Sequence, residues 1–342
     1  MPDRLGKTVS RSRSADNTAP PALTGPAAHV PARLRDEIAR ARTYADASRA
    51  ASTRRAYEAD WAAFAAWCAD RGLAHLPADP RVVAVFLSAE AARGLAPPTV
   101  NRKLAAIGWA HRRAGLQPPQ KAEGAAAIVE VLAGIRRSRT SAPGKKAAAD
   151  ADVTWTLLHY IKGDRLRDHR DRALIALGMA AALRRSELVA LRVEDLRRVP
   201  EGMRVRITRS KTDQEGGGQV VAVPNGKRIR PVALVDAWLQ AAGIEDGFLF
   251  RRFVGRADRL SADPMDAAAV ALVVKRRAAA CGLPVGDFAA HSLRSGFLTA
   301  AARAGASIWK MQEVSRHKSV QVLSGYVRSA ELFDDHAGSG FL

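Results

Sequence analysis

Two cysteines in 342 residues, Cys68 and Cys281, leave no room for a disulfide framework or a cysteine-rich zinc site. Apolar runs approaching the roughly 20 residues of a membrane helix are missing too, and the N-terminus lacks the apolar core of a secretory signal. These shortages fit a reducing cytoplasm and exclude a membrane as the expected partner. No glycine-rich phosphate loop and no carboxylate cluster at metal-ligand spacing occurs, so neither a cofactor nor a metal is expected. Acidic residues are also scarce, 34 Asp plus Glu against 54 Lys plus Arg, for a formal charge of +20. Such an excess repels itself unless a polyanion is the partner, and nucleic acid is the first candidate. Codon bias in an alanine-rich, arginine-rich chain is the competing explanation. Tyrosines number only four, and one of them, Tyr326, lies in "SRHKSVQVLSGYVR" nine positions after His317. On spacing alone it is a helix aromatic near Val322, Leu323 and Val327.

The length allows two ordinary domains. Residues 1–32 carry Ser, Pro, Arg and Thr with almost no large apolar side chains and are expected to be a disordered tail. From 33 to 139 the apolar spacing is helical. In "STRRAYEADWAAFAAWCADRG" the stripe Tyr57, Trp61, Phe64, Cys68 marks a buried face, with Ser52 as N-cap and Gly72 as the stop. "DPRVVAVFLSAEAARG" starts another helix with Asp79 as cap and Pro80 in the first turn. "PPTVNRKLAAIGWAHRRAG" and "KAEGAAAIVEVLAGIRRSR" complete a helical bundle. Residues 140–152 are read as a linker and 153–328 as a mixed domain. There "DRALIALGMAAALRRSELVALRVEDL" reads as one long helical segment, "MRVRITRS" and "VVAVP" as a β-hairpin around "KTDQEGGGQ", and the remainder as helices. Residues 329–342 form a tail that suits a contact between protomers.

Several side chains on this frame suit phosphate chemistry. Arg184 falls in phase with Leu177, Leu188 and Leu191, with Glu187 one turn later, so a charged side chain is placed on an inward stripe. It either snorkels and pairs with Glu187 or is held by it toward an anion. "HSLRSG" sets His291 and Arg294 at a helix start with Ser292 as its cap, a place where helix N-terminus and guanidinium both favour an anion. Lys211 ends the first hairpin strand beside a glycine-rich turn. In the first domain, Thr53, Arg54, Arg55, Thr99, Asn101, Arg102 and Lys103 make a basic, polar set suited to a DNA backbone, or else an ordinary solvated face.

The ordered set Arg184, Lys211, His291 with Arg294, His317 and Tyr326 closely resembles the catalytic signature of the tyrosine recombinases, the phage-integrase family, over about residues 45–330. "STRRAYEADWAAFAAWC" and "PPTVNRKLAAI" resemble that family's core-binding domain. The resemblance implies a mainly α fold with a small β-sheet, built from a SAM-like helical core-binding bundle and an α+β catalytic domain. It implies a Tyr326 nucleophile, phosphate donors Arg184, Arg294 and His317, proton movement assisted by His291, a general acid in Lys211, and Glu187 orienting Arg184. It also implies a 3′-phosphotyrosyl intermediate, and two domains clamping double-stranded DNA at a specific recombination site. Four protomers would then exchange strands through a Holliday junction without cofactor or metal. An extra arm-binding domain is not expected. Ala182 stands where the family often has glycine, and "SRH" replaces the common "LGH". The rival readings are a type IB topoisomerase, which swivels and reseals one duplex, and a DNA-binding protein that no longer cuts.

Overall fold

The computed structural model describes residues 34–138, 147–208, 218–255, 258–289 and 291–330. By internal contacts the chain divides into two units, Met1–Gly144 and Lys145–Leu342. The expected N-terminal tail, the C-terminal tail beyond Ala330, part of the expected linker and Lys211 lie outside the described residues.

The first unit is a helical bundle of α1 (Arg35–Ala47), α2 (Ala51–Ala69), α3 (Pro80–Ala92), α4 (Pro97–Arg113) and α5 (Ala126–Ser138). Its core forms where the sequence stripe points inward: Trp61, Phe64 and Cys68 of α2 are buried against Phe86, Leu87, Val100 and Ile107. Tyr57, at the edge of the stripe, meets Trp109 edge-on at 5.9 Å. Asp79 caps α3 by accepting from the Arg81 backbone N–H at 2.6 Å, with Pro80 in the first turn. Ser52 is not the cap of α2. Ala50 holds that position with no side-chain bond, and Ser52 lies exposed within the first turn.

The second unit contains α6 (Ala151–His159), α7 (Leu166–Ala180), α8 (Arg185–Ala190), the strands β1 (Leu196–Val199), β2 (Gly202–Ile207) and β3 (Gln219–Pro224), then α9 (Pro231–Ala242), β4 (Arg251–Val254), β5 (Arg259–Pro264), α10 (Ala267–Ala280), α11 (Ser292–Arg303), α12 (Ile308–Ser315) and α13 (Val320–Ala330). The protein is thus mainly α with small antiparallel sheets, one of order β1-β2-β3 and one pairing β4 with β5. The hairpin is present as β2–β3, with Val205 opposite Val221 and Met203 opposite Val223 feeding the core. The second sheet, in a stretch expected to be helical, is a correction. Its sequence is charged and its burial shallow, so it carries little alternation.

α7 is the axis of the second core: Ala173, Leu174, Ile175 and Leu177 are fully buried. At its start Asp171 is buried too, and its carboxylate accepts from Arg170, Arg276 and Arg277 at 2.6 to 2.8 Å. The long helical segment expected from 171 to 196 is broken. Ala182 turns left-handed, φ 47, and the Leu183 N–H closes back on the Gly178 carbonyl at 3.1 Å before α8 restarts. Residues 147–150, expected as linker, lie along the start of α11: Ala147 N–H bonds Asp287 O at 2.7 Å and Ala149 N–H bonds Ser292 O at 2.9 Å.

Candidate active site

The break after α7 is what delivers Arg184. It stands as the N-cap of α8, so its backbone N–H donates to Glu187 Oε2 at 2.9 Å, while its Nη1 reaches Glu187 Oε1 at 2.6 Å. The inward aim expected from a continuous stripe therefore has a different origin, a cap position between two helices. Its side chain keeps 18% exposure, and Nη2 lies 3.4 Å from the Arg316 carbonyl. Glu187 is buried. Burial alone would raise its pKa, but the Arg184 backbone N–H and the charges of Arg316 and Arg184 outweigh it, and the carboxyl is held below its usual range.

α11 delivers the second arginine. His291, not Ser292, is its N-cap. Ser292 is the first helical residue, and its Oγ accepts from the Ala289 N–H at 3.0 Å. One turn on, Arg294 is 1% exposed, donates from Nη1 to the Ala182 carbonyl at 2.6 Å, and brings Nη2 to 3.3 Å from His317 Nδ1. Burial, then the charges of Arg184 and Arg316, pull its pKa down to about 9. Burial is the larger cause, and the two neighbouring guanidiniums add positive charge that a phosphate would neutralise.

His317 follows the end of α12 and lies 2.9 Å from Ser315 Oγ through Nδ1. Burial and the Arg294 and Arg184 charges push it down to about 4, so the imidazole is neutral at pH 7. Although His291 is exposed as a residue, burial of its ring and the same two guanidiniums lower its pKa as well.

Tyr326 is carried by α13, whose other face packs Leu323 and Val327 on Leu298, Ala302 and Met311 of α11 and α12. The aromatic is the helix residue that the spacing indicates, at the edge of a small core, and it also lines a cleft. That cleft, about 700 Å³, is lined by His291, Ser295, Thr299, Gln321, Tyr326 and Arg328 among others. Burial raises the phenol pKa, and the Arg294 charge opposes the rise.

The structure therefore gathers Arg184, Glu187, Arg294, His317, His291 and Tyr326 around one region. Lys211 lies outside the described residues. A member missed from sequence is Arg316, buried between Glu187 and the Ala181–Ala182 turn, and its only sequence signal is the arginine of "SRH". Among the described residues no group of His, Cys, Asp and Glu is placed to hold a metal ion, and no helix is long and apolar enough to cross a membrane.

In the first unit, Thr53, Arg54 and Arg55 lie on α2 and Thr99, Asn101, Arg102 and Lys103 on α4, two helices packed on each other. Arg55, Asn101 and Arg102 are exposed. Arg54 donates to the Asp46 carbonyl at 3.0 Å, and Arg102 grips Asp60 through Nε at 2.7 Å. Lys103 is corrected: its side chain is 8% exposed, with Nζ 3.1 Å from Glu90 and 3.5 Å from Asp60. Two buried carboxylates claim its charge, so it is not free for phosphate.

Residues 149–332 match the phage integrase family. The chain is 32% identical over 292 residues to an integrase/recombinase XerD homolog of Selenomonas ruminantium, spanning 85% of each sequence. It is 28% identical over 287 residues to the Cre recombinase of Escherichia phage P1, covering 78% of this chain and 81% of that one. Among solved structures, XerH site-specific recombinase bound to palindromic difH substrate superposes with a TM-score of 0.60 at 16% identity, covering 81% of this chain and 76% of that chain, a likeness of fold. A family match over residues 149–332, joined to 32% identity along most of both sequences, places the chain in the phage integrase family, as a tyrosine-type site-specific recombinase.

Proposed function

We propose that the protein cuts and rejoins DNA at a specific recombination site, with Tyr326 attacking a phosphodiester to form a 3′-phosphotyrosyl link. The observation that carries this reading is the convergence of Arg184, Arg294 and the His291 and His317 imidazoles near a half-buried Tyr326, with burial first and then the neighbouring guanidiniums lowering Arg294 to about 9. Each arginine offers paired donors to nonbridging oxygens, which gain charge in the transition state. His317 adds a further donor. The phenol ordinarily titrates near 10 and is raised by burial, so attack needs its proton taken up. His291, lining the same cleft and held neutral, is the acceptor assigned to that step. Lys211 is assigned to protonate the departing 5′-oxygen, a poor alkoxide without it. Rejoining is the reverse reaction with a 5′-hydroxyl of another strand, so the bond energy is conserved and no nucleotide is consumed.

The finer assembly is part of the same proposal. Four copies acting on paired sites exchange strands through a Holliday junction in the cytoplasm. Residues 1–32 are a tail, 33–139 a DNA-binding domain, the linker is the part of 140–152 that precedes Ala147, the catalytic domain runs on to 328, and 329–342 are a contact between protomers. Thr53, Arg54, Arg55, Thr99, Asn101 and Arg102 are the first-domain residues set against the backbone.

The test is a denaturing gel of the protein with labelled duplex taken from the DNA flanking its gene. The parent chain should leave a covalent band, and Tyr326→Phe should abolish it while native-gel binding persists, because only the phenolic oxygen is lost. A covalent band surviving in the variant moves the nucleophile to another side chain.

A further inference from the structure

Three non-glycine residues among those described hold a left-handed backbone, Ala182, Arg230 and Arg316, and two of the three touch. Arg316 Nη2 lies 3.4 Å from the Ala182 carbonyl, and Nη1 lies 3.3 Å from Ala181 O and 2.7 Å from Val314 O. Both positions strain a residue that carries a Cβ, and a glycine at either would relieve it. The Arg316 side chain is also 3% exposed, with its Nε buried and lacking a hydrogen-bond partner among the described residues. A buried guanidinium with an orphan N–H on a strained backbone is unfavourable by itself. What its remaining donors and its carbonyl hold is therefore the informative part.

Those atoms reach tethers of both phosphate-facing arginines, although the Arg294 contact with His317 stands apart from them. Arg316 Nη2 donates to Glu187 Oε2 at 2.8 Å, and the other oxygen of that carboxylate holds Arg184 Nη1. The Arg316 carbonyl takes Arg184 Nη2 at 3.4 Å. The Ala182 carbonyl that Arg316 touches is also the acceptor for Arg294 Nη1. We propose that Arg316 is a positioning residue for strand cleavage: it staples the strained Ala182 turn to Glu187, and so sets both Arg184 and Arg294 where a phosphodiester meets them. The inference rests on the recombinase reading above. It has a specific corollary: Ala182 and Arg316 are coupled, because the alanine turn is the one that relaxes when the staple is removed.

The experiment compares single-turnover covalent complex formation, half-site affinity and thermal melting for the full-length parent, Arg316→Gly, Arg316→Lys and the double variant Ala182→Gly/Arg316→Gly. Glycine suits the φ of 57 at this position, so Arg316→Gly removes the staple without adding backbone strain. It should bind a half-site like the parent yet form covalent complex about 10- to 100-fold more slowly, the scale seen when a supporting side chain around a site is lost. Arg316→Lys keeps a cation at Glu187 and guards against a variant that fails to fold. It should melt like the parent and still cleave slowly, because one ammonium cannot span three carbonyls and a carboxylate. The double variant should recover most of the lost rate, since a glycine turn needs no staple. Arg316→Gly or a folded Arg316→Lys cleaving at the parent rate would overturn the inference. So would affinity falling in step with cleavage, or a double variant no faster than the single one. Failure of the recombinase reading itself shows elsewhere, as a parent chain that forms no covalent complex at all.

Discussion

His317 is a neutral base held among cations. Its pKa falls from 6.5 to about 4, through burial first and then the charges of Arg294, Arg184, His291 and Arg316. In an unfolded chain the same ring takes a proton near 6.5, so between the two values the unfolded state binds more protons and stability falls as pH falls. His291 acts in the same direction, whereas Glu187, held below its usual 4.5, titrates beneath this window. The melting midpoint of the DNA-free protein should therefore drop between about pH 7 and pH 5, and His317→Gln should flatten that slope. Equal slopes in parent and variant, followed by scanning fluorimetry, would mean the ring is not in fact held neutral. The candidate site residues could be named from sequence because their types and their order along the chain resemble the tyrosine-recombinase signature. Arg316 was not, since an arginine gives no sign that it will adopt a left-handed backbone, and its partners Ala181, Ala182 and Glu187 are more than a hundred residues away.

At the scale of elements, the site depends on where helices stop and how closely they approach. The end of α7 carried no signal in its own residues, because Ala182 does what a glycine normally announces, and only the resemblance marked that position. The helical stripes and the β2–β3 hairpin were legible from periodicity, whereas β4 and β5 are short, charged and shallow, and gave none. The seat of α11 was equally hidden. Gly296 faces the carbonyl of Ala149, and a Cβ there would overlap it. The segment is fixed by Ala147 and Ala149 backbone bonds, by Thr154 Oγ1 on Ala149 O at 2.8 Å and by Arg303 on Asp150 Oδ2 at 2.6 Å, so it cannot easily withdraw. Gly296→Ala should then push away the helix that carries His291 and Arg294. The expected loss is about 1 to 3 kcal/mol, the usual cost of overpacking, read as a lower urea midpoint, with cleavage falling further than half-site affinity. An unchanged midpoint would show that residues 147–150 yield freely and do not seat the helix.

At the scale of the whole molecule, the formal charge of +20 overstates the charge available to DNA, because part of it is engaged with carboxylates. Arg276 and Arg277 serve Asp171, Arg113 serves Asp46, and Lys103 lies between Asp60 and Glu90. Sequence alone could not separate these from the rest, since nothing in "TVNRKLAAI" tells that Asp60 and Glu90 converge on one of its two cations. The two classes differ in what their removal does. Lys103→Ala leaves two buried carboxylates short of a cation, with Arg102 and Arg93 as their remaining partners. It should cost about 3 to 5 kcal/mol, the scale of breaking a buried pair from one side, and lower the calorimetric transition of the first unit while the second is unmoved. Arg55 is exposed on α2, so Arg55→Ala should leave both transitions in place. It should instead weaken DNA binding at low salt and reduce the slope of log affinity against log salt by about one, as one released counterion fewer requires. Titrations of labelled duplex at several salt concentrations, alongside calorimetry of both variants, separate the two roles. If Lys103→Ala instead lowers the salt slope as Arg55→Ala does and leaves the first transition in place, its ammonium reaches DNA and the buried pairing with Asp60 and Glu90 is not what holds it.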